Sequence, residues 1–200
     1  MSEALHMLAA GGIVAHATET CYGFACDLTN PQAVARLFAL KQRPADQPVS
    51  ALFSSIEEAK KFVEWNDEAK KLARKHLPGP LTLILLLKER ACICPLPSLP
   101  SPVPGEGMGM GARTLGIRIS SHPLAQELAK RFGKPLSTTS ANLHGQKNTY
   151  STAEIIEQFK GQKVQPDLII DSGKLRTTPP STVMDLTEKQ KLKTLRKGII

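Results

Sequence analysis

The segment LTLILLL, residues 81–87, limits the possible folds more than any other stretch of the chain. It is apolar at every position but Thr82, and the sequence LPGP comes directly before it. An apolar run of this length without alternation is typical of a central strand that is buried on both faces. The run therefore predicts a sheet that other elements cover from both sides.

Strand and helix signals alternate along the rest of the chain. Several late strands follow one another too closely for a crossover helix, so the sheet is predicted to be mixed rather than all parallel. The sequence thus predicts an α/β fold with a twisted mixed sheet flanked by helices. Helices are predicted at 2–10, after Asn30 with Pro31 in the first turn, after the capping box Ser55-x-x-Glu58, at 123–132 and at 151–159. Strands are predicted at 13–17, 48–53, 81–87, 115–119, 168–171, 182–186 and 192–195.

The length of the chain predicts a single domain over residues 1–200. Two hundred residues of which 41% are hydrophobic suffice for one buried core. The segment 94–113 is too rich in proline and glycine for the interior of a helix or strand, so we expect a flexible loop or lid there. The first residues lack a basic region followed by an apolar run, and no apolar stretch approaches the roughly 20 residues of a membrane span. These features predict a soluble cytoplasmic protein with no membrane contact.

The charge of the chain indicates a polyanionic partner. Lysine and arginine number 26 against 18 acidic residues, which gives a net charge of +8. A nucleotide, a nucleic acid or a membrane surface would each suit this charge. The four cysteines, at 21, 26, 92 and 94, form C-x4-C and C-x-C pairs rather than the C-x2-C pairs typical of zinc sites, so reduced thiols and no metal site are predicted.

Polar side chains recur where the predicted strands end. Thr18-Glu19-Thr20 follows the first strand, with a flexible Tyr22-Gly23 behind it at which the chain is expected to bend, and STTSAN occupies 137–142. Hydroxyl and amide groups at strand ends are what a ligand crevice in an α/β sheet requires, although each could also cap a helix or a turn. Lys41 and Arg43 end a helix just before Pro44, where they could bind phosphate oxygens or only favour the helix dipole.

Several common functional patterns are missing from the sequence. There is no Walker A motif and no G-x-G-x-x-G after a strand. The five histidines are dispersed, and no Ser/His/Asp order supports nucleophilic catalysis. Aromatic residues make up only 4% of the chain, which is too few for a base-stacking platform.

Four sequence blocks, in this order, resemble the YrdC family of threonylcarbamoyl-AMP synthases, in particular its short bacterial TsaC-like type. They are ATETCYGFACD at 17–27, LKQRPADQP at 40–48, LPGPLTLIL at 77–85 and LGIRISSHPLAQELAKRFGKPLSTTSAN at 115–142, with weaker matches at 180–186 and 195–198. The combination of K-x-R with S-x-N in this order is specific to the family. The chain departs from the usual family pattern at Ala17, Phe24, Leu52 and Lys197.

The resemblance implies a YrdC-like domain with a basic concave cleft. The implied reaction joins L-threonine, bicarbonate and ATP, with Mg²⁺, into threonylcarbamoyl-AMP and pyrophosphate, for the threonylcarbamoyladenosine modification of tRNA. It needs no enzyme nucleophile. The implied partner is a separate threonylcarbamoyl transferase complex (TsaD/TsaB/TsaE-like), with tRNA contact left open.

The resemblance also assigns roles to individual residues. The implied catalytic residues are Lys41, Arg43, Ser140 and Asn142, which also contact ATP together with Thr114, Asn148 and Arg196. The implied L-threonine site consists of Thr20, Arg118, Thr138 and Ser181. Arg118 is expected to pair with the carboxylate of the amino acid, because a guanidinium matches a carboxylate bidentately. No residue is assigned to a metal.

Two other functions remain open at this stage. The same basic surface could hold RNA without catalysis, in which case affinity for RNA would fall steeply with salt. A carbamoyl-phosphate-using domain, like the related domain of hydrogenase maturation proteins, is disfavoured because the chain lacks the additional segments expected there.

Overall fold

A computed structural model of the chain describes residues 1–43, 49–91, 93, 114–188 and 192–200. The predicted flexible loop at 94–113 lies outside the described residues, as do Cys92 and the first position of the strand predicted at 48–53.

The described residues form six α-helices and nine β-strands. The helices are α1 Ser2–Ala9, α2 Pro31–Lys41, α3 Ile56–Ala59, α4 Asp67–His76, α5 Pro123–Phe132 and α6 Thr152–Phe159. The strands are β1 Val14–Ala17, β2 Tyr22–Ala25, β3 Ser50–Leu52, β4 Leu81–Leu86, β5 Thr114–Arg118, β6 Leu136–Ser140, β7 Leu168–Ile169, β8 Thr182–Asp185 and β9 Lys193–Arg196. In the described part of the chain, no helix is long and apolar enough to cross a bilayer.

The nine described strands lie in one mixed sheet, in the order β7-β1-β2-β6-β3-β5-β4-β8-β9. The pairs β1–β7, β3–β5 and β4–β8 are parallel, and the other pairs are antiparallel. The predicted α/β class and the mixed sheet are therefore confirmed. The apolar run at 81–87 forms β4, which lies between β5 and β8 and is an interior strand, as its composition predicts.

Apolar side chains cover both faces of the sheet. On one face Phe24, Leu83 and Ile117 pack with residues of α2, α4 and α6, and the ring of Phe24 meets Phe159 edge-on at 5.3 Å between centroids. On the other face Val14 and Leu52 pack with residues of α1 and α5. Leu52 and Phe24, two of the departures from the family pattern, are thus core residues.

The prediction of a flexible Tyr22-Gly23 is wrong. Both residues belong to β2, all four residues of which are buried, and Gly23 pairs with Ser140 of β6. A Cβ at Gly23 would lie 3.1 Å from the backbone oxygen of Thr139. Glycine is needed here because β6 approaches closely, and not because the chain bends. The strand was not predicted because its pairing with β6 depends on residues far away in the chain.

The end of α2 fixes where its cations point. The side chain of Asn30 accepts hydrogen bonds from the backbone N–H of Gln32 and Ala33, which confirms the predicted cap. Lys41 is the last residue of the helix, and Gln42 has a left-handed backbone with φ 50° that ends it. Lys41 is therefore held on the rigid helix, whereas Arg43 leaves it in a new direction.

Candidate functional site

Lys41, Ser140 and Asn142 form one hydrogen-bonded cluster between α2 and the end of β6. The Lys41 ammonium donates to the backbone oxygens of Ser140 at 2.5 Å and Asn142 at 2.7 Å, and to Asn142 Oδ1 at 3.3 Å. Ser140 Oγ donates to the same Asn142 Oδ1 at 2.5 Å. The predicted K-x-R and S-x-N motifs thus meet in space through Lys41, although they are about 100 residues apart in the chain.

The positive charge of Lys41 is poorly compensated. The side chain is 4% exposed, and no carboxylate among the described residues forms an ion pair with it. Burial is the main reason that the pKa of Lys41 falls from 10.5 to about 7; the charge of Arg43 lowers it too, and the Cys21 thiol opposes the fall. A cation that lacks an anionic partner in a buried place is suited to receive an anionic ligand.

Arg118 is held differently, by the turn between β1 and β2. Its Nη2 donates to Glu19 Oε1 at 2.5 Å and lies 3.5 Å from Thr20 Oγ1. The second carboxylate oxygen of Glu19 accepts a hydrogen bond from Ser120 Oγ. Arg118 is 5% exposed, and its Nε is buried without a hydrogen-bond partner among the described residues.

Thr18 builds the turn that presents Glu19 and Thr20. Its hydroxyl donates to the backbone oxygen of Cys21 at 2.7 Å and accepts from the backbone N–H groups of Thr20 and Cys21. The hydroxyls of Thr18 and Thr20 are 3.0 Å apart. The polar cluster at the end of the first strand is therefore a hydrogen-bonded turn whose remaining side chains point to the site.

Arg196 and Ser181 close the other side of this region. Arg196 donates through Nε to the backbone oxygen of Ser181 at 2.9 Å and through Nη2 to its hydroxyl at 2.8 Å. The Ser181 hydroxyl lies 3.3 Å from that of Thr82, which pairs with Arg118 across β4 and β5. A residue expected to bind ATP and one expected to bind threonine thus contact each other directly.

Cys21 marks the place where these cations converge. Burial raises the pKa of its thiol, whereas a hydrogen bond with Thr20 and the charges of Arg118, Lys41 and Arg196 lower it. Burial also lowers the pKa of Arg43 and of Arg196, the latter with a contribution from the charge of Arg118. Cys21 is a free thiol, as predicted, but nothing in the sequence indicated that the charges of three cations act on it.

Three predicted site residues are not connected to these cations by hydrogen bonds among the described residues. In the part of the chain that the structure describes, no side-chain hydrogen bond joins Thr114, Thr138 or Asn148 to the cationic side chains. Thr114 begins β5, four residues before Arg118, and Thr138 pairs with Ser50 in the middle of the sheet. Asn148 lines a neighbouring cleft with Lys147, Tyr150, Glu154, Glu157, Gln158 and Thr177. Their roles remain predictions.

Sequence reasoning missed His16, which lies in β1 next to the Thr18 turn. The side chain is fully buried; its Nδ1 is 3.1 Å from the backbone oxygen of Ala17, and its Nε2 has no partner among the described residues. Burial is the main reason that the pKa of His16 falls from 6.5 to about 4, with His122 lowering it and Glu19 raising it. The imidazole is therefore neutral at pH 7. A histidine within an otherwise apolar strand is the sequence feature that could have predicted this buried imidazole.

The arrangement suits an anionic ligand with more than one charged group. Cations from α2, β5 and β9 surround one small region that also holds hydroxyl groups of Thr20 and Ser181. Within the described ranges, no group of three or more His, Cys, Asp or Glu side chains is placed to hold a metal ion. Charge stabilisation and positioning, rather than covalent or metal-ligand chemistry of the side chains, are what these residues can supply.

The chain is similar to several known proteins. A family model described as "Telomere recombination" and designated Sua5/YciO/YrdC matches residues 6–198. A Methanocaldococcus jannaschii protein is 35% identical over 190 residues, covering 95% of this chain and 81% of its own length. A Vibrio vulnificus protein named threonylcarbamoyl-AMP synthase is 28% identical over 196 residues, covering 96% of this chain and 97% of its own length.

Solved structures show the same fold. The crystal structure of Pyrococcus abyssi Sua5 complexed with L-threonine superposes with a TM-score of 0.83 at 32% identity over 98% of this chain. The chain spans only 53% of that Sua5.

Proposed function

Because this chain belongs to the Sua5/YciO/YrdC family, we propose that it is a threonylcarbamoyl-AMP synthase. In this proposal it is a nucleotidyltransferase that joins L-threonine, bicarbonate and ATP into threonylcarbamoyl-AMP and pyrophosphate. The product would serve the threonylcarbamoyladenosine modification of tRNA.

The observation that carries the proposal is the buried Lys41 ammonium, which is bound to Ser140 and Asn142 and forms no ion pair with a carboxylate among the described residues. The charges of Arg118 and Arg196 act on the same Cys21 thiol as that of Lys41. The reaction brings an anionic threonine carbamate to a triphosphate, and the repulsion between these two anions has to be overcome. Lys41 and Arg118 are buried and lower that repulsion more than the exposed Arg196 does, because little water screens a buried charge. We assign Lys41, Arg43 and Arg196 to the triphosphate, and the donors Ser140 and Asn142 beside Lys41 to the same ligand. Thr114 and Asn148 complete the proposed ATP contacts.

We assign the opposite side of the site to L-threonine. Arg118 would bind the carboxylate, and its buried unpartnered Nε supports this because a ligand acceptor would satisfy it. Thr20 supplies a hydroxyl group 3.5 Å from the guanidinium, and Ser181 supplies one beside Thr82. Thr138 is the further proposed contact.

The chemistry then requires no side-chain nucleophile. The threonine amine and bicarbonate give a carbamate and water. A carbamate oxygen forms a bond to the α-phosphorus of ATP, the bond from that phosphorus to the bridging oxygen breaks, and pyrophosphate leaves. Magnesium would enter with the ATP substrate. Together with Lys41, Arg43 and Arg196 it would neutralise the charge that develops on the leaving pyrophosphate.

The product is a labile mixed anhydride, so a following enzyme must consume it. We propose a threonylcarbamoyl transferase complex as the partner that transfers the group to tRNA, in the cytoplasm, where ATP and tRNA are present. Direct contact of this chain with tRNA is a separate question, which a binding measurement with tRNA at two salt concentrations answers.

The test is to incubate the purified protein with ATP, magnesium, L-threonine and bicarbonate and to measure threonylcarbamoyl-AMP by mass spectrometry. We expect product that disappears when threonine or bicarbonate is withheld, and in Lys41→Ala and Arg43→Ala variants. Absence of product from a protein that still binds ATP would overturn the proposal. Salt-dependent binding of tRNA without threonine or bicarbonate would then support the non-catalytic RNA-binding module.

A further inference from the structure

Both carboxylate oxygens of Glu19 accept hydrogen bonds from protein side chains. One carboxylate oxygen accepts from Arg118 Nη2 at 2.5 Å and the other accepts from Ser120 Oγ. The side chain is 16% exposed, and its charge is paired with a guanidinium that is itself 6% exposed. A carboxylate held by two protein donors in a buried place serves to orient those donors.

Ser120 is fixed just as firmly on its other side. Its hydroxyl accepts from the backbone N–H of His122 at 3.1 Å, so the hydroxyl proton is left to point at Glu19. Its backbone oxygen accepts from Gln126 Nε2 at 2.5 Å. Since His122 caps α5 through its contact with the N–H of Leu124 and α5 packs on the core, Ser120 anchors Glu19 to the body of the protein.

These contacts fix the orientation of the Arg118 guanidinium. Glu19 Oε1 and, more distantly, Thr20 Oγ1 occupy Nη2, whereas Nε has no partner among the described residues. A planar guanidinium that is held at one nitrogen has a defined direction for its remaining N–H groups. The direction of the unpartnered Nε–H is thus set by Glu19, and the direction of Glu19 is set by Ser120.

We propose that Glu19 and Ser120 are positioning residues that aim Arg118 at the carboxylate of the amino-acid substrate. This inference rests on the proposed function for the identity of the ligand. Through Arg118, Glu19 and Ser120 would let the protein bind an amino acid with a free carboxylate more tightly than a neutral analogue. Only a correctly oriented guanidinium distinguishes these two ligands.

The test compares binding of L-threonine and L-threoninamide by calorimetry, together with the KM values of the synthase reaction. In the wild type we expect threonine to bind at least about tenfold more tightly than threoninamide, the effect of a hydrogen bond to a charged group. In Glu19→Gln and in Ser120→Ala this preference should fall to about threefold or less. The KM for threonine should rise by about tenfold while the KM for ATP changes less than about twofold.

Matched variants separate positioning from mere stability. Ser120→Thr keeps the hydroxyl and should restore the preference. Glu127→Gln is the control, because it removes an exposed ion pair of the same 2.5 Å length, between Glu127 and Arg131 of α5. This variant should keep the preference for threonine. If Glu19→Gln fails to fold, Ser120→Ala still tests the inference. The combined effect of Glu19→Gln and Ser120→Ala should be smaller than the product of their separate effects, because both act through one guanidinium.

The outcomes distinguish this inference from the proposed function. Product formation with an unchanged threonine preference in Glu19→Gln and Ser120→Ala overturns the inference alone. Discrimination by the wild type that both variants lose, without any product, supports the inference and overturns only the synthase assignment. A wild type that does not bind threonine overturns both.

Discussion

The two buried cations of the site, Lys41 and Arg118, are stabilised in opposite ways. Among the described residues, the acceptors of Lys41 are uncharged oxygens of Ser140 and Asn142, whereas Arg118 is ion-paired with Glu19. The pKa of Lys41 accordingly falls to about 7, mainly through burial. The comparison indicates that the Lys41 side keeps positive charge for a ligand, while the Arg118 side uses a carboxylate to orient its cation.

The largest expected effect concerns stability on the Arg118 side. Arg118→Met leaves Glu19 as a buried carboxylate without its cation, so we expect the free energy of unfolding to fall by about 3–5 kcal/mol. Lys41→Met leaves no buried charge behind and should cost less than about 2 kcal/mol, because relief from burying an ammonium offsets the lost hydrogen bonds. Urea denaturation of the two variants measures both changes. Equal losses would show that the two cations are held alike.

Activity should show a large effect on the Lys41 side. In Lys41→Met we expect kcat/KM for threonylcarbamoyl-AMP formation to fall by about 10²–10³-fold, since charge placed near the reacting phosphate is lost. The rate is measured by mass spectrometry of the product. Lys70→Met removes an exposed lysine paired with Asp67 and is the control that should keep the wild-type rate. A wild-type rate in Lys41→Met would show that the charge of Lys41 has no role in the reaction.

His16 tests whether the Arg118 side also tolerates a buried neutral base. Its pKa is lowered from 6.5 to about 4, so the unfolded chain binds the proton more readily, and the stability from a neutral His16 is lost as pH falls from 6.5 through 4. A shift of this size corresponds to about 3 kcal/mol. Between pH 6.5 and pH 4 the free energy of unfolding of His16→Phe should therefore fall by about 3 kcal/mol less than that of the wild type. Unfolding measurements at several pH values test this. His144→Phe changes an exposed histidine and should keep the wild-type slope.

The smallest expected effect is a difference in the pH dependence of the two ligands. Lys41 with a pKa of about 7 is half protonated near neutrality, so ATP affinity should fall roughly fivefold between pH 7 and pH 8 as the ammonium loses its proton. Threonine affinity, which we assign to Arg118, should stay constant over the same range. Calorimetric titrations at several pH values check both expectations. ATP affinity in Lys41→Met should change little with pH; a persisting fall would show that another group is responsible.

Much of the fold could be predicted because its elements have local signals. The apolar run of β4, the cap at Asn30 and the mixed order of late strands each follow from neighbouring residues. The polar sequence DEAKKLARKH gave no apolar stripe of large residues, so α4 was not predicted; only Ala69 and Ala73 are buried in it. β2 was missed because its pairing with β6 depends on residues far away in the chain.

Part of the grouping of residues in the candidate site could be predicted from the sequence, whereas most of their contacts could not. The sequence motifs named Lys41, Ser140 and Asn142, which the structure brings together. The Glu19–Ser120 contact and the convergence on Cys21 could not be predicted, since they depend on how β1, β5 and α2 are placed relative to one another. Burial of His16 is likewise set by the helices on its face of the sheet.

The position of β6 has a consequence for how the chain is made. This strand lies between β2 and β3 and bonds to both, and the backbone N–H of Cys26 reaches Ser137 Oγ across 111 residues. As the chain leaves the ribosome, β2 and β3 therefore emerge long before the strand that joins them. Until then each has an open edge on which a wrong strand can pair. Assembly of the ligand site is thus a late event of biosynthesis, and factors that protect open sheet edges should act on this protein while it is still being translated.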